Sequence, residues 1–235
     1  MRKIIFIILL FYSSISLAEK IDGLFGLKIG EILTKDILAE EHKNRKIGYN
    51  QEETIEAISL KNKKSYDLVN LSEKARRIKS INRIKRRLEE LESGAIFRIV
   101  PKVNNPMFKN YSVEISPLSN KIIVIRGIGD MEEEPCIETR KLLFDHFINK
   151  YSSSYSKTSI DKEDDEEEYL TFGFSTGKGH QIRIICSYFS DSIMIEFQDL
   201  DYSLKMLNKD KSIMIQKLDN ELQKIANTDL DLSGM

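Results

Sequence analysis

Little in this chain announces chemistry. No G-x-S-x-G elbow, P-loop or dinucleotide fingerprint occurs, which removes the short motifs by which many hydrolases and nucleotide-binding enzymes are recognised. Three histidines, His42, His146 and His180, stand alone and far apart, whereas a metal site needs ligands at converging spacings, such as two His four apart on one helix. An excess of one charge is also missing. Charged residues make up 31% of the chain, yet the formal net charge is −1, so no bulk attraction to nucleic acid or acidic membrane follows. Beyond the first residues no apolar run is long enough to cross a bilayer. We assign no catalytic residue, no metal ligand and no cofactor.

The most specific signal present is at the start. Arg2 and Lys3 form a positive head, Ile4 to Tyr12 an apolar and aromatic run, and Ser16-Leu17-Ala18 a small-x-small cleavage site. That is the layout of a secretory signal peptide over residues 1–18. We expect a mature chain beginning at Glu19, exported to a bacterial periplasm or secreted, with no lipid anchor because no cysteine follows the cleavage site.

Cysteine is scarce: Cys136 and Cys186 are the two in the chain. In an oxidising compartment an even pair reads as one disulfide. The competing reading is a reactive thiol at Cys136, which follows Pro135 at an expected helix start where the dipole lowers a thiol pKa. No C-x-x-C accompanies it, which argues against an oxidoreductase.

After a short glycine-punctuated strand or turn at Gly23 to Gly30, residues 19–71 carry a weak signal, with helical patches at Glu31–His42 and Gln51–Leu60. A clear helix follows over Ser72–Glu92. Ser72 can cap it, Ile78, Ile81, Ile84, Leu88 and Leu91 recur at three- and four-residue steps, and Gly94 is expected to stop it. Acidic residues at its C-terminal end oppose the helix dipole, so the helix must be held by contacts with something else.

Residues 95–235 read as the core domain. Strands are expected at Ile96–Val100, Tyr111–Ile115, Ile122–Ile128, Tyr169–Phe174, Gln181–Phe189 and Ser192–Phe197, with a hairpin turn at Gly177-Lys178-Gly179. Pro135 opens a helix from Cys136 to Tyr151, Ser152 to Glu168 reads as a polar and acidic loop, and a last helix covers Tyr202 to Ala226. Strands joined by short turns and interrupted by one helix give an α+β class: an antiparallel sheet with helices packed on one face, plus the charged amphipathic helix.

Three groups of residues carry a family resemblance. These are Gly23-Leu24-Phe25-Gly26-Leu27-Lys28-Ile29-Gly30; Val100-Pro101-Lys102 leading to Phe108, Tyr111 and Ser116-Pro117; and Leu143 to Lys150-Tyr151. Their order (an F-G-x-x-x-G opening, a V-P-K strand, a helix ending in K-Y) resembles a family of small exported proteins of Gram-negative bacteria. The resemblance implies an exported α+β domain and no particular activity. The helix at residues 72–94 departs from that pattern.

Within that helix, eight Lys or Arg residues occupy the fourteen positions from Lys74 to Arg87. Two readings compete. In one the helix lies on its own domain with a charged outer face; in the other Arg76, Arg83, Arg86 and Arg87 grip a partner, most simply an envelope protein. Export and the lack of stacking aromatics there argue against nucleic acid. The acidic run from Asp161 to Glu168 lacks the alternating ligands of a calcium loop and reads as a solvated segment. The expected function is a non-enzymatic, exported binding or interaction module. The alternatives are an inhibitor or immunity-type protein, and a hydrolase with a dispersed site using His146 or His180 beside carboxylates.

Overall fold

The computed structural model describes residues 20–49, 51–63, 72–162, 167–174, 177–187 and 189–227. The leader read over residues 1–18 lies outside them. In chain order the elements are β1 (Gly23–Leu24), β2 (Leu27–Lys28), α1 (Gln51–Lys63), α2 (Glu73–Glu89), β3 (Ala95–Ile99), β4 (Asn110–Ile115), β5 (Ile122–Asp130), α3 (Glu133–Tyr151), β6 (Lys157–Lys162), β7 (Glu167–Phe174), β8 (Gly177–Ser187), β9 (Ser192–Asp199) and α4 (Leu200–Asn227). Seven strands form one antiparallel sheet in the order β3-β4-β5-β9-β8-β7-β6, and β1-β2 form a second of two strands, so the class is α+β.

The chain divides into two compact units that interleave in sequence. The first takes the chain up to Gly26, Val103–Asn110 and Arg126–Asp201; the second takes Leu27–Lys102, Tyr111–Ile125 and the chain from Tyr202 onward.

In the first unit, period-two alternation builds the core. Leu170 and Phe172 of β7, Ile182, Ile184 and Cys186 of β8, and Ile193, Ile195 and Phe197 of β9 are all buried. Helix α3 lies against β8 and β9, burying Cys136, Phe144 and Phe147. Its first helical residue is Glu133, not Cys136. Pro135 is therefore the third residue of the helix, still among the positions whose N–H has no intrahelical acceptor to lose.

Two expectations fail here for a shared reason. Ser152 to Glu168 is not one loop: Ser152–Ser154 is a 3-10 turn and Lys157–Lys162 is a strand paired antiparallel to β7, with Thr158 opposite Phe172 and Ile160 opposite Leu170. Likewise Gly177-Lys178-Gly179 is not the hairpin turn but the start of β8. The β7–β8 ladder shifts register between Phe172 and Phe174, and Gly179 takes φ +76°, so that a Cβ there would meet the Phe172 carbonyl oxygen at 1.8 Å. In both cases the ladder with β7 overrides the local composition.

In the second unit, Ile122–Ile125 of β5 are buried consecutively, a strand covered on both faces. Glu31–His42 is not a helical patch. Ile32 bridges Lys121 and Leu38 bridges Ile99, leaving 3-10 turns at Lys35–Ile37 and Glu40–His42. Ala39 N donates to Arg98 O, Val100 N to Ile37 O, and Arg98 N to His42 Nδ1 (2.8 Å), so the outer edge of β3 is covered. Helices α1, α2 and α4 meet around Ile55, Ile81, Ile84, Leu88, Met214 and Leu218.

Candidate functional site

Helix α2 starts where the sequence places it: Ser72 Oγ accepts the Ala75 N–H at 3.3 Å. It ends earlier, at Glu89. Gly94 lies beyond, in the approach to β3, donating its N–H to Glu114 Oε1. The unfavourable acidic end is relieved from outside the helix. Lys211 of α4 donates to the carbonyls of Glu89 (3.1 Å) and Leu91 (2.9 Å), a cationic cap supplied in tertiary structure.

The same contact sorts the basic residues into two sets. Arg77 pairs with Glu221 at 2.7 Å and Lys85 with Asp219 at 2.8 Å, both partners on α4. Arg76 is half-buried and lines a cleft of about 390 Å³ with Glu52, Glu56, Ser59 and Glu73. Of the other five, Lys74 is half-buried, whereas Lys79, Arg83, Arg86 and Arg87 are exposed and form no ion pair with a carboxylate among the described residues. At about 100° per residue these four fall within an arc of about 100°, opposite the Ile81–Ile84–Leu88 stripe that enters the core. With a rise of about 1.5 Å per residue they form a cationic ridge about 12 Å long.

The histidines divide differently. His146 is exposed on α3, its ring edge-on to Phe147. His42 holds the Arg98 backbone. His180 is 9% exposed, among Tyr155 and Phe197, and is part of a hydrogen-bonded chain. The Ile21 N–H donates to Tyr155 Oη (3.1 Å), Tyr155 Oη lies 2.6 Å from His180 Nδ1, and His180 Nε2 lies 3.2 Å from Asp199 Oδ2. One set of protons satisfies every link: the tyrosine hydroxyl donates to Nδ1 and Nε2–H donates to the carboxylate. Burial, with smaller contributions from Asp199, Tyr151 and Asp22, pushes the Tyr155 hydroxyl up to about 12, keeping it a donor at neutral pH. Both ring nitrogens are engaged within this chain, which fixes the orientation of the imidazole between Tyr155 and Asp199.

Cys136 and Cys186 are joined, with Cα atoms 5.7 Å apart, tying α3 to β8. The buried Arg140 of α3 reaches Glu168 of β7 at 2.9 Å, so the last carboxylate of the acidic run is an internal ion-pair partner and not a solvated loop charge. The middle of that run, residues 163–166, lies outside the described residues. Elsewhere in the first unit, Phe25, Val103, Phe108, Leu143, Phe147 and Ile195 line an apolar hollow of about 340 Å³. Phe25 has φ +55°, and its ring meets Phe108 edge-on at 5.3 Å.

Among the described residues no group of three or more His, Cys, Asp or Glu converges as a metal site, and no helix is long and apolar enough to cross a membrane. What fold and surface define is an α+β protein closed by one disulfide and carrying a cationic helix face. Compared with known proteins, the chain matches no family model, no curated protein and no solved structure.

Of the four arginines named from the sequence, Arg83, Arg86 and Arg87 are exposed together and Arg76 lines the cleft instead; Lys79 joins the exposed three, where helical spacing alone places it. The Tyr155–His180–Asp199 chain is not visible in the sequence, because His180 and Asp199 meet through β8–β9 pairing and Tyr155 reaches them from the turn after α3.

Proposed function

We propose that the protein is an exported, non-enzymatic binding module that holds an acidic envelope protein through Lys79, Arg83, Arg86 and Arg87. The observation that carries this reading is the contrast along one helix. Arg77 and Lys85 are used up by carboxylates of the same unit, while four cations on the opposite face have none among the described residues. An outward cationic ridge draws an acidic partner over long range, with an association rate that falls as salt rises. Export rests on the leader-like residues 1–18, on the resemblance to exported proteins of Gram-negative bacteria, and on a disulfide of the kind that persists in oxidising compartments.

The test is the triple variant Arg83→Glu, Arg86→Glu, Arg87→Glu. Crosslinking in envelope fractions should recover a discrete acidic partner with the parent chain and lose it with the variant. Purified parent should also bind poly-L-glutamate in a salt-sensitive manner that the variant lacks. Equal recovery by both chains overturns the reading. Export is checked separately: the protein from a periplasmic fraction should begin at Glu19 by mass spectrometry.

A further inference from the structure

The seven-stranded sheet has two outer strands, and only one is covered among the described residues. The free side of β3 is occupied by backbone and side-chain partners from residues 37–42. The other outer strand, β6, pairs with β7 along its whole length, and its far side has no backbone partner among the described residues. It carries no proline, and its ladder with β7 runs through six consecutive residue pairs, Lys157 to Lys162. An edge of this kind is a template for another strand. Ile160, which lies on the core face opposite the fully buried Leu170, is still 50% exposed there.

We infer that β6 pairs with β6 of a second copy of this chain, antiparallel about a two-fold axis through Ser159. A two-fold perpendicular to a sheet keeps each residue on its own face, so the opposed residues must be an even number of positions apart about the centre. Within the strand, centring on Thr158 places Lys157 against Ser159, and centring on Ile160 places Thr158 against Lys162. Centring on Ser159 places Lys157 opposite Asp161 twice, and Ile160 opposite Thr158 twice. This register matches opposite charges on one face and covers the half-exposed isoleucine on the other. Lys157 and Asp161 are both exposed, and Asp161 accepts from Ser159 Oγ at 3.3 Å, which holds its carboxylate over the centre of the strand. Two six-residue edges are smaller than the about 20–30 residues a side of a standard interface, so the association is weak and concentration-dependent.

Sedimentation of the purified chain from low concentration to about 1 mM, a range that spans weak association, tests this. The parent should run as a monomer–dimer equilibrium. Lys157→Glu and Asp161→Lys should each raise the dissociation constant about tenfold, since each turns two attractive pairs into repulsive ones. The double variant, which restores opposite charges in swapped positions, should return to within about twofold of the parent. Circular dichroism confirms that each variant is folded, and amides of residues 157–162 should exchange more slowly as the parent is concentrated. A parent that stays monomeric throughout, single variants that dimerise like the parent, or a folded double variant that is not rescued each overturn the inference.

Discussion

The first unit joins α3 to β8 through a covalent bridge and buries a Tyr–His–Asp chain, whereas the second joins α1, α2 and α4 through apolar side chains, with ion pairs and a lysine cap at the margin. The difference has a physical consequence. Stability of the first unit responds to redox state and, through Tyr155, to alkaline pH; stability of the second responds to side-chain volume and, through Asp210, to acid. The outward cations are on the second, where the packing does not depend on them.

Breaking the bridge should have the largest effect. Replacing Cys136 and Cys186 by serine releases a crosslink spanning 50 residues, which should cost about 4 kcal/mol in urea unfolding, with reductant reproducing the loss in the parent and adding nothing in the variant. Next comes Leu218→Ala, at the fully buried centre of the helix cluster, which should cost about 3 kcal/mol whether or not reductant is present. A redox-dependent penalty there would erase the contrast between the units.

Tyr155→Phe should cost about 1 kcal/mol near pH 7 by removing the hydroxyl between Ile21 and His180. Its pH signature is more specific. The folded hydroxyl titrates near 12 against an ordinary value of 10.0, so its contribution is fully present below pH 10 and is lost as pH rises towards 12. Denaturation series across that alkaline window should show a steeper loss in the parent than in the variant. Asp210 gives the opposite sign in the second unit. Burial raises its carboxyl, but the Ser116 hydroxyl and the Ser119 and Leu118 amides outweigh that and hold it below its ordinary range. Its contribution is present above that range and fades as acid protonates the folded carboxylate. The smallest effect belongs to Arg83→Glu, Arg86→Glu, Arg87→Glu, which should leave unfolding free energy within about 0.5 kcal/mol of the parent while changing partner binding.

The strands at 95–130 and 181–199 were legible because alternation and β-branched runs coincide with burial there, and Ser72 announced α2 by its cap. Strand β6 was not, because Lys157, Ser159 and Asp161 read as loop until Leu170 and Phe172 are seen opposite their neighbours. The two cysteines could be paired from their number alone. The cationic residues were visible as a set, but which of them face outward depends on Asp219 and Glu221, which lie 134 and 144 positions along the chain from Lys85 and Arg77. His180 looked like a residue beside a turn because its partners, Tyr155 and Asp199, are brought to it by separate strands and loops.

One small vacancy in β5 constrains what substitutions the first unit can accept. A Cβ on Gly127 would come within 2.6 Å of the Phe25 ring and 3.1 Å of the Phe108 ring. Phe25 meanwhile tolerates a left-handed backbone that bulky residues avoid. Alanine at 127 should therefore force the Phe25 ring to move or to be replaced by a smaller side chain, with the Phe108 ring giving way by a few tenths of an ångström, so the tolerance of position 127 is set from position 25.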